Sequence, residues 1–331
     1  MLKRALMGLP LLTLAACLAP KDGLAAEPTR LPLHGDTVFQ LASIQQGREL
    51  MLEQDAFSQS LSRFDRQSRL DTQREVTTEE LLQFAAQQVL PWTDEDARRV
   101  AEVTSSLRTK LEPLGDIFPA EVLLIHTTGR GEGDAAYTRG NAVILPTRKL
   151  RQSAAGLERL LIHELFHILS RHDPALRKRL YDIVGFELCE AIPLPGELID
   201  RKITNPDAPR IDSVIRLSFN GQAAVCAPVL IASSEQYEPG AERGFFKYLQ
   251  FRLMEVQPHE GGFAPKRNDG EPVLREPQDA DDFFEQIGRN TRYIIHPDEI
   301  LADNFVHLVK KSGNLDTPRI IEAMARELTP P

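Results

Sequence analysis

The sequence predicts an α+β fold. Helix-patterned segments fill most of the first third of the chain, a few strand-length apolar runs lie between residues 121 and 145, and a strand-rich stretch follows one buried helix before the chain ends in helices. No internal repeat is present. With 331 residues the chain can bury a substantial core, as one large domain or two closely packed ones. A formal charge of −9, with no Lys/Arg-rich run, argues against a nucleic-acid partner, which calls for a basic face.

The first 26 residues stand apart from the fold. Lys3 and Arg4 precede an apolar run from Ala5 to Ala16, interrupted by Pro10 and Thr13. The run is too short for a permanent bilayer helix and reads as a secretory signal. Leu14-Ala15-Ala16-Cys17 resembles a bacterial lipobox, which would acylate Cys17 and tether the protein to a membrane. The rival exit is cleavage after Leu24-Ala25-Ala26. The lipobox directly follows the apolar run, whereas Lys21 and Asp22 intrude before the rival, so the lipobox is the better placed. Either exit makes the chain an exported, periplasmic protein. In that oxidising compartment Cys189 and Cys226 form a disulfide or stay as free thiols, and the sequence leaves both open.

Residues 27–76 read as an N-terminal arm, polar and helix-compatible from Gly47 to about Leu70. Residues 77–185 read as the core. Thr78 caps a helix from Glu79 to Leu90 that Pro91 stops, and Thr93, ahead of Asp94-Glu95-Asp96, caps one reaching about Leu111. Glu121 to His126 is a buried strand. A glycine-rich loop, Thr128 to Gly133, leads to a second strand, Ala142 to Leu145, closed by Pro146. Ser153 caps a helix from Ala154 to Ser170, and Asp173-Pro174 begins another, Ala175 to Val184. Residues 186–290 form a strand-rich insertion. Asn220-Gly221 marks a hairpin between Ser213–Phe219 and Ala223–Ile231, and the Pro and Gly cluster from Pro258 to Pro277 reads as a long surface loop. Residues 291–331 are C-terminal helices, one begun by Pro297 and one capped by Thr317 with Pro318 at its first position.

His163-Glu164-Leu165-Phe166-His167 is an HExxH motif. Helical residues four apart lie only ~40° apart in projection, so both imidazoles face one point, while Glu164 is offset by ~100°. Neutral imidazoles suit Zn²⁺, and Glu164 can take a proton from a water attacking a carbonyl. A chance match is unattractive because Leu160, Leu161, Leu165, Ile168 and Leu169 make this helix apolar nearly all round, and burying three ionisable groups needs a reason.

A catalytic zinc needs a third protein ligand. Asp173 stands ten residues after His163, the metzincin spacing, but Ser170 replaces the glycine of that pattern and Asp173 already serves as a helix cap; His172 is one residue off. Glu187, twenty residues after His167, has the spacing of thermolysin-like enzymes, with Glu190 nearby, but no acid follows four residues later. Glu299 lies in His296-Pro297-Asp298-Glu299-Ile300-Leu301-Ala302-Asp303, on one helical face with Asp303 at i and i+4. Ile300, Leu301 and Phe305 give that helix an apolar face for docking.

Together the HExxH helix and this ExxxD element resemble gluzincin zinc metallopeptidases. The resemblance implies a zincin-like fold with a small mixed sheet beside the motif helix, His163, His167 and Glu299 as Zn²⁺ ligands, Glu164 as base, and Asp303 orienting a zinc-bound histidine. It also implies a peptide or protein substrate paired along the strand of Ala135 to Pro146, which is otherwise an ordinary hairpin strand. An oxyanion donor is expected, with Tyr293 the choice and His296, Tyr137 and Tyr181 as rivals. A monomer is expected. The contrasting reading is a zincin-fold lipoprotein that binds a partner or stores metal without hydrolysis; Glu164 separates the two, since a pure binding site needs no base.

Overall fold

The computed structural model describes residues 29–240 and 244–329; both signal exits, Cys17 included, lie outside the described residues. The chain is mixed α and β, built on two sheets. The first holds β1 (Arg30–His34), β2 (Thr37–Leu41), β3 (Glu121–Thr127), β4 (Tyr137–Arg139) and β5 (Ala142–Pro146), in the order β1-β2-β3-β5-β4. β2, β3 and β5 run parallel, and β1 and β4 close the two edges antiparallel. Every residue of β5 is buried, as expected of a strand covered on both faces.

Within the stretch expected to be an arm, Arg30–His34 and Thr37–Leu41 are instead two strands of the first sheet. Leu33, Phe39 and Leu41 are buried in the core, and Gly35, at a φ of +51°, turns β1 into β2. Interleaved polar residues and the shortness of the strands hide this pattern in the sequence. The polar stretch that follows is three short helices, Ile44–Leu52, Ala56–Ser60 and Arg63–Arg69, because Ser43, Asp55 and Ser62 each start a new one with a reciprocal capping box. Thr77, rather than Thr78, caps the helix Thr78–Gln87. Thr93 caps Asp94–Leu111, which packs on β1 and on the motif helix.

The motif helix spans Ala154–His172, with the Ser153 hydroxyl accepting from Gly156 N–H. Asp173 ends it and caps the next helix, Pro174–Ile183, through Ala175 and Leu176 N–H. The second sheet is antiparallel throughout: β6 (Phe186–Leu188), β7 (Ser213–Phe219), β8 (Gln222–Ala232), β9 (Leu249–His259) and β10 (Gly262–Pro265), in the order β10-β9-β8-β7-β6. Asn220 and Gly221, at φ of +51° and +75°, make the tight turn between β7 and β8. The region from Pro258 to Pro277 is not a long loop. β9 runs through His259 and folds back into β10 at Glu260-Gly261. A small hairpin of β11 (Arg267–Asn268) and β12 (Glu271–Pro272) turns at Asp269-Gly270, and β13 (Leu274–Arg275) returns to β9. Gly261 and Gly270, at φ of +84° and +90°, are turn residues, so they punctuate hairpins. Cys189 and Cys226 are both free thiols.

The last helices are Pro297–Val309 and Pro318–Leu328. Thr317 makes no cap bond; its hydroxyl instead accepts from Arg289 N–H. The helix Pro297–Val309 lies against the motif helix. Ile300, Leu301, Phe305 and Val306 are fully buried, and the Phe166 and Phe305 rings meet at 5.8 Å. Burial of each such side chain contributes about 1.5–3 kcal/mol as an upper bound. That contact brings the two chemistry-bearing helices together. Among the described helices none is long and apolar enough to cross a membrane.

Candidate metal centre

His163 and His167 stand one turn apart on the motif helix, their rings edge-to-face with centroids 4.9 Å apart. Facing them is the first turn of the helix Pro297–Val309. Pro297 fixes the entry of that helix, and His296 caps it, its Nδ1 accepting from Asp298 N–H at 3.2 Å. The acids of this turn do not lie in solvent: Asp298 is 3% exposed and Glu299 1%. Carboxylates buried to that degree need partners, and here the partners are the two histidines.

Glu299 Oε2 lies 3.1 Å from His163 Nε2 and 3.5 Å from His167 Nε2. Its other oxygen accepts from Asn205 Nδ2 at 2.6 Å. One donor atom from each of His163, His167 and Glu299 falls within 4.8 Å of the other two. A tetrahedral zinc with bonds of about 2.1 Å spaces its ligands about 3.4 Å apart, which both measured separations match. His167 Nε2 is buried and has no hydrogen-bond partner among the described residues. That orphaned atom is what a ligand nitrogen looks like without its metal.

The far nitrogens of both rings are held from behind. His167 Nδ1 meets Asp298 Oδ2 at 2.7 Å, and Asp298 Oδ1 accepts from Ser170 Oγ at 2.6 Å and from Tyr181 OH at 2.9 Å. His163 Nδ1 lies 3.4 Å from Asp303 Oδ1, which also accepts from Arg159 at 2.7 Å, while Thr291 donates to Asp303 Oδ2. Each ring thus presents Nε2 to the common point, with its orientation fixed by a carboxylate.

The electrostatics call for a cation. Burial disfavours charge on His163, but hydrogen bonding to Asp303 and Glu299 overcomes it and pushes the imidazole up to about 9. His167 is likewise raised, burial being outweighed by Asp207, Glu299 and Asp298. Glu164 is 2% exposed, and its Oε2 has no hydrogen-bond partner among the described residues. Burial first, then the charge of Asp207, holds it up to about 8.

The structure thus brings His163, Glu164, His167, Glu299 and Asp303 together. Tyr293 stacks on His163 with ring centroids 6.2 Å apart and, though 42% exposed, lines the same cleft of about 290 Å³ with Glu164, Asp207 and Glu299. The other candidates lie elsewhere. Asp173 is occupied as a helix cap, and His172 is exposed. Glu187 is exposed on β6 and paired with Arg216, and Glu190 is exposed beyond it. Tyr137 is buried against Met51, Tyr181 is committed to Asp298, and His296 to its cap. Three residues escaped the sequence reading. Asp298 drew no role from the sequence, although its place beside Glu299 could have marked it. Asn205 and Asp207 sit in Asn205-Pro206-Asp207-Ala208-Pro209, turn-forming residues with no periodic signal. Asp207 nevertheless joins Glu164 and His167 in a second group whose donor atoms lie within 4.8 Å of one another. Family models, curated proteins and solved structures were all compared with this chain, and none matches it.

Proposed function

We propose that this protein is an exported zinc metallopeptidase of zincin-like architecture that hydrolyses peptide bonds in extended polypeptides. The observation that carries the reading is the convergence of His163, His167 and Glu299, from two helices, beside the buried and unpartnered carboxylate of Glu164. A site that only stored metal would have no use for that fourth group. The mixed sheet supports the reading too, because its antiparallel edge strand β4 offers main-chain groups for pairing with an extended substrate. Export rests on residues 1–26 and belongs to the same proposal.

Zinc held by the three donors would polarise the scissile carbonyl and acidify the attacking water. Glu164, buried beside the three donors with an unpartnered carboxylate oxygen, receives that water's proton and passes it to the departing amine nitrogen. Tyr293, which stacks on His163 and lines the cleft, donates its phenol proton to the carbonyl oxygen as negative charge develops there. Asp298 and Asp303 act through the histidines, holding each ring in one orientation.

The test is metal analysis of the purified protein joined to hydrolysis of an unstructured polypeptide such as casein. About one zinc per chain is expected, lost in His163→Ala and in His167→Ala. Glu164→Gln should keep the zinc while hydrolysis falls by roughly 10²–10⁴-fold. Zinc retained in both histidine variants, or undiminished cleavage by Glu164→Gln, overturns the proposal.

A further inference from the structure

The edge strand that would receive a substrate is already engaged by the chain itself. Asp207 Oδ1 accepts from the main-chain N–H of Thr138, on β4, at 2.7 Å and from the Thr138 hydroxyl at 2.6 Å. Its main-chain oxygen accepts from Arg171 of the motif helix at 3.2 Å. Two residues back, the Asn205 side chain donates through Nδ2 to Glu299 Oε1 at 2.6 Å, and its Oδ1 accepts from Asp207 N–H at 3.1 Å in an Asx turn. The segment Asn205–Asp207 therefore bridges the outer edge of the first sheet and the histidine-bearing helix.

This placement is built rather than incidental. The residue just before the segment, Thr204, gives its N–H and hydroxyl to the buried carboxylate of Asp65, at 3.0 and 2.7 Å. Arg69, fully buried, donates to Thr204 O at 3.0 Å while pairing with both Asp65 and Glu132. The neighbouring Ile203 N–H enters the second sheet through Leu230 O at 2.9 Å. Among the described residues no donor reaches Asp207 Oδ2. The atoms nearest in chemistry are equally bare: Glu164 Oε2 and His167 Nε2 are buried and lack partners.

Resting on the metallopeptidase reading, we infer that Asp207 is a fourth protein ligand of the metal and that the Asn205–Asp207 segment holds the cleft in a self-blocked form. The two candidate metal groups, His163–His167–Glu299 and Glu164–His167–Asp207, share His167, so the Asp207 carboxylate approaches the same imidazole that serves the three-donor site. Glu164 is spoken for as the base, which leaves Asp207 to close the coordination sphere where an open catalytic site keeps a place for water. A substrate strand pairing with β4 must first take the Thr138 N–H away from Asp207. The same carboxylate thus blocks both the metal and the strand edge, and one displacement frees both.

The experiment compares Co²⁺-loaded parent, Asp207→Ala and Asp207→Asn by visible absorption, chelator-competition affinity and casein hydrolysis, with circular dichroism confirming that each is folded. Asn keeps an acceptor for the two Thr138 donors, so it remains informative where Ala fails to fold. The expected result is a weaker Co²⁺ affinity, by about tenfold or more, an altered d–d spectrum as water replaces the carboxylate, and faster hydrolysis than the parent. An affinity within twofold of the parent with an unchanged spectrum overturns the fourth-ligand assignment. A changed spectrum with hydrolysis equal to or slower than the parent's overturns the self-blocked form. Failure of the parent itself to bind Co²⁺, or equal binding by His163→Ala, strikes the metallopeptidase reading instead.

Discussion

On the proposed metal centre, replacing Asp298 by Ala separates the direct ligands from their support. The Asp298 carboxylate is 3% exposed, sits 2.7 Å from His167 Nδ1, and takes two further donors, Ser170 and Tyr181. It has no contact with the place where the metal would sit, so its removal leaves the three ligands intact but lets the His167 ring turn and change tautomer. Partners of this kind alter affinity by about 10–100-fold, which is about 1.4–2.7 kcal/mol. The short bond and near-complete burial place Asp298→Ala at the upper end. Asp303→Ala belongs at the lower end, because its contact with His163 is 3.4 Å long and Asp303 also serves Arg159 and Thr291. The assay is the zinc dissociation constant by competition with a chromogenic chelator at fixed pH, on samples shown folded by circular dichroism. An Asp298→Ala affinity within twofold of the parent, or a larger loss from Asp303→Ala, would refute the argument.

Glu299→Ala should release the zinc that Glu187→Ala keeps, read by elemental analysis after dialysis, since Glu187 is exposed and tied to Arg216. Glu158→Gln probes stability against pH. Burial opposes the charge of Glu158, but Lys110, Ser106 and Lys310 overcome it and hold the carboxyl down to about 2 from an ordinary 4.5; a depressed folded pKa stabilises above the unfolded value, and that stability fades as pH falls from about 4.5 to about 2. Because both lysines are about a third exposed, solvent screens the interaction, and thermal melts should show the variant less stable by about 1–2 kcal/mol at pH 7, the gap closing at pH 3. A gap unchanged at pH 3 would remove the ion pair from the account. Arg69→Met leaves Asp65 and Glu132 buried without their shared partner, so urea denaturation should show a loss of about 3–5 kcal/mol; a change below about 1 kcal/mol would mean that the cluster relaxes.

Local chemistry made the motif helix and its partner legible. Ser153, Asp173 and Pro297 mark helix boundaries that the backbone follows, and the four-residue spacing alone puts His163 above His167. Glu299 was reachable because an apolar face beside two acids implies docking, which the burial of Ile300, Leu301 and Phe305 satisfies. What stayed hidden depends on distant pairing. β1 and β2 are five residues each; β2 pairs with β3, some eighty positions later, and β1 pairs with β2 alone, so their own pattern is faint. Asn205 and Asp207 carry no periodicity at all. Their position follows from Thr204 meeting Asp65, 139 residues away, and nothing near them in sequence announces such a contact.

Seen as a polymer, the centre is also a stitch. His163 and Glu299 stand 136 positions apart in the chain. A metal gripped by both closes a loop of that length, and the ring-closure entropy of such a loop is about 4 kcal/mol ((3/2)RT ln n). The second sheet, both of its long hairpins included, hangs within that loop. An ion bound at the two helices would therefore restrain the second sheet, whose strands supply none of the proposed ligands, and no nascent fragment ending before Glu299 can make the closure.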